Sequence, residues 1–126
     1  MFGWSYTSPH FHASQHGAVT IVRATGPEIR HPEPASELGA EIWGLVQDKG
    51  RKAILLDLAN VKYMSSTGFA VLLGLAEKIK TAGGVLKICG LNRDVAIGAD
   101  IIGLGRHIQT FSDESDARRS FEPTSG

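Results

Sequence analysis

The feature that most constrains the fold is a short apolar run followed by a polar turn and a long amphipathic segment, all within residues 53–82. The run Ala53–Asp57 is apolar until its final aspartate, as expected for a strand that is covered on both faces in an α/β sheet. From Thr67 to the stop at Gly83-Gly84, apolar side chains recur at helical spacing, and these are Phe69, Leu72, Leu73, Ala76 and Ile79. This segment predicts a central strand, a turn and a helix of about four turns.

Three consecutive hydroxyl side chains, those of Ser65, Ser66 and Thr67, lie where the chain enters this helix. The first backbone N–H groups of a helix lack partners and carry partial positive charge, so a hydroxyl cap and an added phosphate are both favoured there. On the residues alone, an N-cap role for Ser66 is favoured over phosphorylation, because hydroxyl caps are far commoner than phosphoswitches. Both interpretations of the turn stay open at this point.

The rest of the chain alternates between strand and helix patterns. Strands are predicted at Phe11–His16, Ala18–Thr25, Val85–Cys89 and His107–Phe111, and helices from Pro34 to Lys49, from Arg93 to Ile102 after the cap residue Asn92, and after the cap residue Ser112. The short links between these elements predict a single α/β domain over residues 10–121, with a mixed sheet of four or five strands and helices packed mainly on one face. Residues 1–9 are predicted to form a tail or an edge strand, and residues 122–126 a disordered tail.

Charge and cysteine content narrow the classes of function. Thirteen Lys and Arg balance thirteen Asp and Glu over 126 residues, so no global field draws the chain to nucleic acid or to an anionic membrane. The single cysteine, Cys89, excludes an intramolecular disulfide and suits a reducing compartment. The first residues lack the pattern of a signal peptide and no run is long enough to span a bilayer, so we expect a cytoplasmic protein without direct membrane insertion.

No combination of residues predicts catalysis or a cofactor. Asp57 ends the central strand with no histidine nearby in the sequence, and its simplest role is a hydrogen bond to the turn that follows. His10, His12 and His16 share one face of a predicted strand, but no carboxylate or cysteine joins them in the sequence, which favours solvent-facing side chains over a metal site. We therefore predict no catalytic residue, no metal and no cofactor.

A surface for a partner is suggested by the helix that follows the hydroxyl turn. Val71 and Leu75 are predicted to lie on the side opposite its core stripe, with Gly68 and Lys78 beside them. Exposed apolar side chains next to a turn that can be phosphorylated suggest a protein contact, unless another element of the fold covers them.

The hydroxyl turn and its surroundings resemble the STAS domain (sulfate transporter and anti-sigma factor antagonist). Bacterial regulatory members of that family carry an aspartate after the central strand and an Asp-Ser-Ser-Gly run ahead of a helix. The matching residues here are Asp57, Leu58, Val61, Met64, Ser65, Ser66, Thr67 and Gly68. Ser65 replaces the second aspartate of the pattern, and Thr67 replaces its second serine. The resemblance extends from Val19 to about Phe121, and includes the strand Val85–Cys89 and Gly103-Leu104.

The resemblance implies an anti-sigma factor antagonist. Such a protein binds an anti-sigma factor that has serine kinase activity, is switched off when that kinase phosphorylates it with ATP, and is reset by a serine phosphatase. The resemblance places the phosphoacceptor at Ser66, with Ser65 and Thr67 as neighbours or alternate acceptors. Contacts with the partner are predicted for Asp57, Gly68, Val71, Leu75 and Lys78.

Other roles of STAS domains stay open. The chain could instead be a scaffold that is not phosphorylated, a subunit of a lipid-transport complex, or a ligand-sensing module that uses the proline-rich loop of residues 26–34. The sequence also leaves open whether the chain forms a homodimer through its aromatic N-terminus, which contains Phe2, Trp4 and Tyr6.

Overall fold

A computed structural model describes residues 5–26, 28–29 and 32–122 of the chain. The strands are β1 (Ser5–Thr7), β2 (Phe11–His16), β3 (Val19–Ala24), β4 (Glu28–Ile29), β5 (Ala53–Asp57), β6 (Tyr63–Met64), β7 (Val85–Cys89) and β8 (Thr110–Phe111). The α-helices are α1 (Pro32–Lys49), α2 (Ser66–Thr81), α3 (Arg93–Ile102) and α4 (Glu114–Arg119), and a 3₁₀ helix spans Leu104–Arg106. Phe2, Trp4 and residues 123–126 lie outside the described residues, so the predictions for them stay predictions.

The main sheet has six strands in the order β1-β2-β3-β5-β7-β8. The β1/β2 and β2/β3 pairs are antiparallel, whereas the β3/β5, β5/β7 and β7/β8 pairs are parallel. The predicted single α/β domain with a mixed sheet is therefore confirmed, although the sheet has six strands and not four or five. The additional strand is β1, whose Ser5 pairs with Ser14 and whose Thr7 pairs with His12.

The alternation of side chains along the strands divides the core between the two faces of the sheet. Three helices cover one face, where the central strand contributes Ile54 and Leu56, α1 contributes Ile42, and α2 contributes Leu72. The short helix α4 covers part of the other face through a smaller cluster of Val19, Ile21, Leu55, Cys89 and Ala117, flanked by Phe111 and Phe121. Helices thus pack mainly on one face, as predicted. The central strand is apolar on both sides because α4 covers part of the second face.

Three predicted boundaries are wrong by a few residues. Helix α1 begins at Pro32 and not Pro34, so the proline-rich loop is shorter than predicted. The last strand is only Thr110–Phe111, because a 3₁₀ turn precedes it. Helix α4 is capped by Asp113 and not by Ser112, since the Asp113 carboxylate accepts a hydrogen bond from the Asp116 N–H at 2.8 Å.

The predicted exposure of the partner face on α2 is also wrong. Leu75 is only 4% exposed and belongs to the core, and Val71 is half-buried. The reason is that α1 runs alongside α2 and widens its buried face. A Cβ at Gly39 of α1 would lie 2.9 Å from Val71 Cγ1, so glycine is what allows the two helices to approach so closely.

Candidate functional site

The turn between β5 and α2 is anchored at its start by Asp57. The Asp57 Oδ1 atom accepts a hydrogen bond from the Ala59 N–H at 2.8 Å, which confirms the bond predicted between this aspartate and the following turn. The Leu58 N–H donates to the Cys89 carbonyl at 2.9 Å, and so ties the turn to the end of β7. Gly90 follows with φ +75°, and a Cβ there would lie 2.7 Å from Asp57 Oδ1. Only glycine fits this position without displacement, and Asp57 is itself buried rather than available to a partner.

The middle of the turn is fastened to α3 by a single side chain. Asn92 donates from Nδ2 to the Val61 carbonyl at 2.6 Å. The Oδ1 atom of the same side chain accepts from the Val95 N–H at 2.9 Å and so caps α3, as the sequence predicted. Because one amide makes both bonds, the position of α3 and the path of the turn are set together.

The end of the turn lies beside the proline-rich loop. Strand β6 forms a small parallel ladder with β4, in which Tyr63 pairs with Glu28 and Met64 pairs with Ile29. The loop that the sequence suggested for a ligand or partner is therefore next to the hydroxyl turn at this end of the sheet.

The three hydroxyl residues have different positions in the structure. Ser65 is the N-cap of α2, with its Oγ accepting from the Gly68 N–H at 3.3 Å. Ser66 is the first residue of the helix, is exposed, and makes no side-chain hydrogen bond to any residue that the structure describes. Thr67 is half-buried and Gly68 is buried. The interpretation of Ser66 as the N-cap is thus wrong, because Ser65 takes that role.

The electrostatic setting of Ser66 favours an anion. No acidic residue lies in the first turn of α2, whereas Lys78 and Lys80 lie in its last turn. The partial positive charge at the start of the helix is therefore not offset by a carboxylate from its own first turn. A phosphate on the Ser66 hydroxyl would meet this charge directly.

Helix α3, which packs against the start of α2, carries exposed apolar side chains that the sequence analysis did not single out. A Cβ at Gly98 would lie 3.1 Å from the Phe69 ring, so α3 packs closely against the first turns of α2. Ile97 and Ile101, one turn apart on α3, are 50% and 80% exposed. The sequence contains a pattern that could have identified them, because Ile97 and Ile101 are four residues apart and lie outside the face formed by the buried Val95 and Ala99.

A pair of carboxyl groups, the buried Asp57 and the half-buried Glu114, lies beneath the turn on the face covered by α4. Glu114 accepts two hydrogen bonds from Arg23, at 3.1 Å from Nε and 2.5 Å from Nη2. Burial and a hydrogen bond with Glu114 raise the pKa of Asp57 above its ordinary value. Burial disfavours ionisation of Glu114 too, but its bonds with Arg23 and Asp57 outweigh this and lower its pKa. The hydrogen bond between the two carboxyl groups therefore favours a proton on Asp57 over one on Glu114.

The thiol in this region is a packing group. Cys89 is fully buried, and burial together with the nearby Asp57 carboxyl raises its pKa to about 12. Since the thiolate is the reactive form, the side chain stays a protonated apolar group.

The histidines have separate partners. His12 pairs with the Thr7 hydroxyl at 2.8 Å and His16 with the Ser14 hydroxyl at 3.0 Å. A carboxylate does approach His10, contrary to the sequence analysis, because Glu37 Oε2 lies 2.7 Å from His10 Nε2. Among the described residues, no three His, Cys, Asp or Glu side chains are grouped closely enough to hold a metal ion.

Residues 10–117 match the family model of the STAS domain. The chain belongs to the STAS family. An anti-sigma F factor antagonist of Paenibacillus polymyxa is 28% identical to this STAS chain over 110 residues, which are 87% of this chain and 92% of that relative.

Two solved structures share the STAS fold of the chain. The crystal structure of an anti-sigma factor antagonist from Mycobacterium paratuberculosis has a TM-score of 0.76 at 22% identity, over 91% of this chain and 97% of that one. The phosphorylated form of the Bacillus cell fate determinant SpoIIAA has a TM-score of 0.65 at 17% identity, over 87% and 98% of the two chains. At these identities, the structures show a common fold.

The fold brings together only part of the predicted site. Ser65, Ser66 and Thr67 form the entrance to α2, while the remaining predicted partner residues Val71, Leu75 and Lys78 line a groove between α1 and α2 further along the helix. None of the helices in the described part of this STAS chain is both long enough and apolar enough to cross a bilayer.

Proposed function

We propose that this STAS protein is an anti-sigma factor antagonist that an anti-sigma factor with serine kinase activity inactivates by phosphorylating Ser66. The observation that carries the proposal is the division of roles at the start of α2. Ser66 offers an exposed hydroxyl with no partner among the described residues, whereas the hydroxyl of Ser65 is engaged as the cap. The names of the relatives support the same function.

Phosphorylation would leave the fold intact. The added charge of about −1.5 to −2 would lie at the positive end of α2, where it is favourable. The cap bond of Ser65 and the packing of Phe69 would not be disturbed, because neither involves the Ser66 side chain.

The effect of the phosphate would therefore fall on the partner. A partner surface that fits closely over the unmodified turn would have to bury the phosphate dianion, which costs binding free energy. A cost of about 2.7 kcal/mol is enough to weaken binding about 100-fold. We place the rest of this contact on Tyr63, Ile97 and Ile101, which are large exposed apolar side chains of β6 and of α3, the helix whose cap residue is bonded to the turn. This replaces the predicted contacts through the buried Asp57, Gly68 and Leu75, while contacts through the half-buried Val71 and through Lys78 stay predictions.

The proposed cycle also needs a serine phosphatase to restore the hydroxyl, and it takes place in the cytoplasm, where sigma factors act. In this cycle the chain is a substrate and a regulator, and the chemistry of phosphoryl transfer belongs to the kinase.

Mass spectrometry after incubation with ATP and a candidate anti-sigma kinase tests the acceptor. We expect one phosphate on the wild-type protein and on Ser65→Ala, and none on Ser66→Ala. The Ser65→Ala variant is the matched control, because it removes the cap, at a cost of about 1 kcal/mol, and keeps the acceptor. A phosphate that persists in Ser66→Ala would contradict the assignment.

Binding measurements on the purified phosphoprotein test the switch. We expect the unmodified protein to bind the kinase about 100-fold more tightly than the Ser66 phosphoprotein, which corresponds to about 2.7 kcal/mol. Equal affinities would reject the switch even if Ser66 is phosphorylated, and would favour a scaffold role.

A further inference from the structure

The edge strand β1 is a contact surface separate from the hydroxyl turn. It is the outer strand of the main sheet, its only partner among the described strands is β2, and all three of its residues are exposed. Strands β2 and β3 lie between β1 and the central strand β5, a sideways distance of about 14 Å at the usual spacing of strands. A contact at β1 would therefore not involve Ser66.

The hydrogen bonds of the β1/β2 hairpin show which backbone groups of β1 point outward. The Ser8 N–H donates to the Phe11 carbonyl at 2.9 Å, so these two residues form a hydrogen-bonded pair where the hairpin turns. Hydrogen-bonded and non-hydrogen-bonded pairs alternate along an antiparallel ladder. By this alternation Tyr6 bonds to β2, whereas the N–H and C=O groups of Ser5 and Thr7 point away from it.

The sequence of this edge contains none of the features that usually protect an edge strand. Natural edge strands are commonly protected by a charge, a proline or a bulge. Residues 1–22 contain no Asp, Glu, Lys or Arg, and β1 itself contains no proline. The register of β1 with β2 is continuous, one residue to one, so this pair has no bulge. The outward donors and acceptors of β1 are therefore in a form that a further strand can use.

Tyr6 adds an aromatic side chain to the edge. Its side chain is 41% exposed, and its ring centroid lies 5.7 Å from that of Phe11, which is fully buried in the main core. The tyrosine ring is thus the exposed end of an aromatic pair that begins in the core. A further ring beside it would extend the pair, and aromatic contacts of this kind are stabilising.

We propose that β1 pairs antiparallel with β1 of a second copy of this chain, about a two-fold axis at Tyr6. In this register Ser5 lies opposite Thr7 of the second copy, and each such pair exchanges two backbone hydrogen bonds. Because these are the residues whose N–H and C=O groups point outward, the two symmetry-related pairs satisfy all of those groups. Tyr6 lies opposite its own copy, on the face of the sheet that carries Phe11.

A second copy suits this edge better than a charged strand of another protein does. A copy of β1 is equally uncharged, so self-pairing places no like charges opposite each other. It also brings a second tyrosine to the aromatic pair. Since the ladder is short, we expect a reversible dimer whose population depends on concentration.

Sedimentation velocity of the full chain over a wide range of concentrations tests for the dimer, and amide hydrogen exchange resolved by residue locates it. We expect the dimer fraction to rise with concentration. The amides of Ser5 and Thr7 should exchange more slowly as the dimer forms, because they gain their partners there. The amide of Tyr6 should change less, because it is already bonded to β2 in the monomer.

Proline variants at the two edges of the sheet provide a matched pair. Thr7→Pro removes an outward N–H and leaves the bonds of β1 to β2 in place, so we expect dimerisation to weaken about tenfold. The control is Thr110→Pro in β8, at a position that also points outward, since the Ile88 N–H donates to the carbonyl of the preceding Gln109. We expect this variant to dimerise as the wild type does.

Tyr6→Lys is a second variant that keeps every backbone group of β1, and it serves if Thr7→Pro unfolds. It places two like charges opposite each other at the two-fold axis, so we expect it to be monomeric at concentrations where the wild type is a dimer. Circular dichroism of each variant shows whether the domain is folded.

Several outcomes would overturn the proposal. These are a chain that stays monomeric at every concentration, a dimer that Thr7→Pro and Tyr6→Lys leave unchanged, and a dimer that Thr110→Pro weakens as much as Thr7→Pro does. If the chain is monomeric and Thr7→Pro weakens binding of the anti-sigma kinase, the edge pairs with a strand of that partner and the second copy is the wrong occupant. Because phosphorylation of Ser66 is measured separately, failure here leaves the proposed function standing.

Discussion

The side chain of Asn92 joins Val61 to α3: its Nδ2 donates to the Val61 carbonyl at 2.6 Å, and its Oδ1 accepts from the Val95 N–H and so caps α3. We expect Asn92→Asp to separate these two bonds. Aspartate caps a helix as well as asparagine does, but it would place a carboxylate oxygen against the Val61 carbonyl. The expected loss is about 1–3 kcal/mol of unfolding free energy, measured by urea denaturation.

The control for this variant is Asn92→Ser, which keeps a cap acceptor and introduces no charge towards Val61. We expect it to be less destabilised than Asn92→Asp. If both variants are as stable as the wild type, the bond to Val61 does not hold the turn.

Gly90 and Gly17 allow backbone strain to be separated from crowding. Both have positive φ, +75° and +63°, but a Cβ at Gly90 would lie 2.7 Å from Asp57 Oδ1, while a Cβ at Gly17 would meet nothing within 4 Å. We expect Gly17→Ala to cost about 1 kcal/mol through strain alone, and Gly90→Ala to cost clearly more. Similar losses in thermal or urea unfolding would show that the turn yields to the added methyl group.

The opposite pKa shifts of Asp57 and Glu114 give a pH dependence with a definite sign. The pKa of Asp57 is raised from its ordinary value of 3.8, so the folded state favours the protonated form. The stability that this provides is complete below pH 3.8 and is lost as the pH rises through the raised pKa. Glu114, whose pKa is lowered from 4.5, acts in the opposite direction and loses its contribution as the pH falls.

Asp57→Asn should therefore remove the first of these two effects. The amide can still accept from the Ala59 N–H and donate towards Glu114, and it cannot ionise. Relative to the wild type, we expect this variant to gain stability as the pH is raised from 4 to 7 in urea titrations. Asp57→Ala is the control, since it should lose stability at every pH. A difference in stability between Asp57→Asn and wild type that does not change with pH would show that the pKa of Asp57 is not raised.

Ile101 and Val85 offer a comparison of two exposed apolar side chains on different elements. Ile101 is 80% exposed on α3, whose cap residue Asn92 is bonded to the turn, and Val85 is 40% exposed at the start of β7. We expect Ile101→Ser to weaken binding of the anti-sigma kinase about tenfold, which is about 1.4 kcal/mol, with unfolding nearly unchanged. Val85→Ser should leave the affinity unchanged. Equal effects in calorimetric titrations would exclude α3 from the interface.

The sequence was sufficient where local pattern decides the structure. The central strand Ala53–Asp57, the stop of α2 before Gly83-Gly84 and the Asn92 cap were all predicted and found. Each depends on a few neighbouring residues whose backbone preferences agree with the final fold.

The failures occurred where a distant element decides. The burial of Leu75 depends on α1. Lys87, in the middle of β7, is buried because α4 covers it, and Ser120 accepts two hydrogen bonds from its ammonium group at 3.0 Å and 2.9 Å. No periodicity within α2 or β7 contains that information. The cap was misplaced by one residue because adjacent serines are equally good acceptors, and only the backbone geometry distinguishes them.

Because Ser65 is the cap of α2, the side chain that stabilises the helix start differs from the proposed phosphoacceptor, Ser66. Under the proposed function, a phosphate could be added to Ser66 or removed from it without changing how much folded protein a cell holds, so the partner would respond and the chaperones and proteases that sense stability would not. Replacing Ser66 would then remove the proposed switch and leave an intact domain that is permanently active.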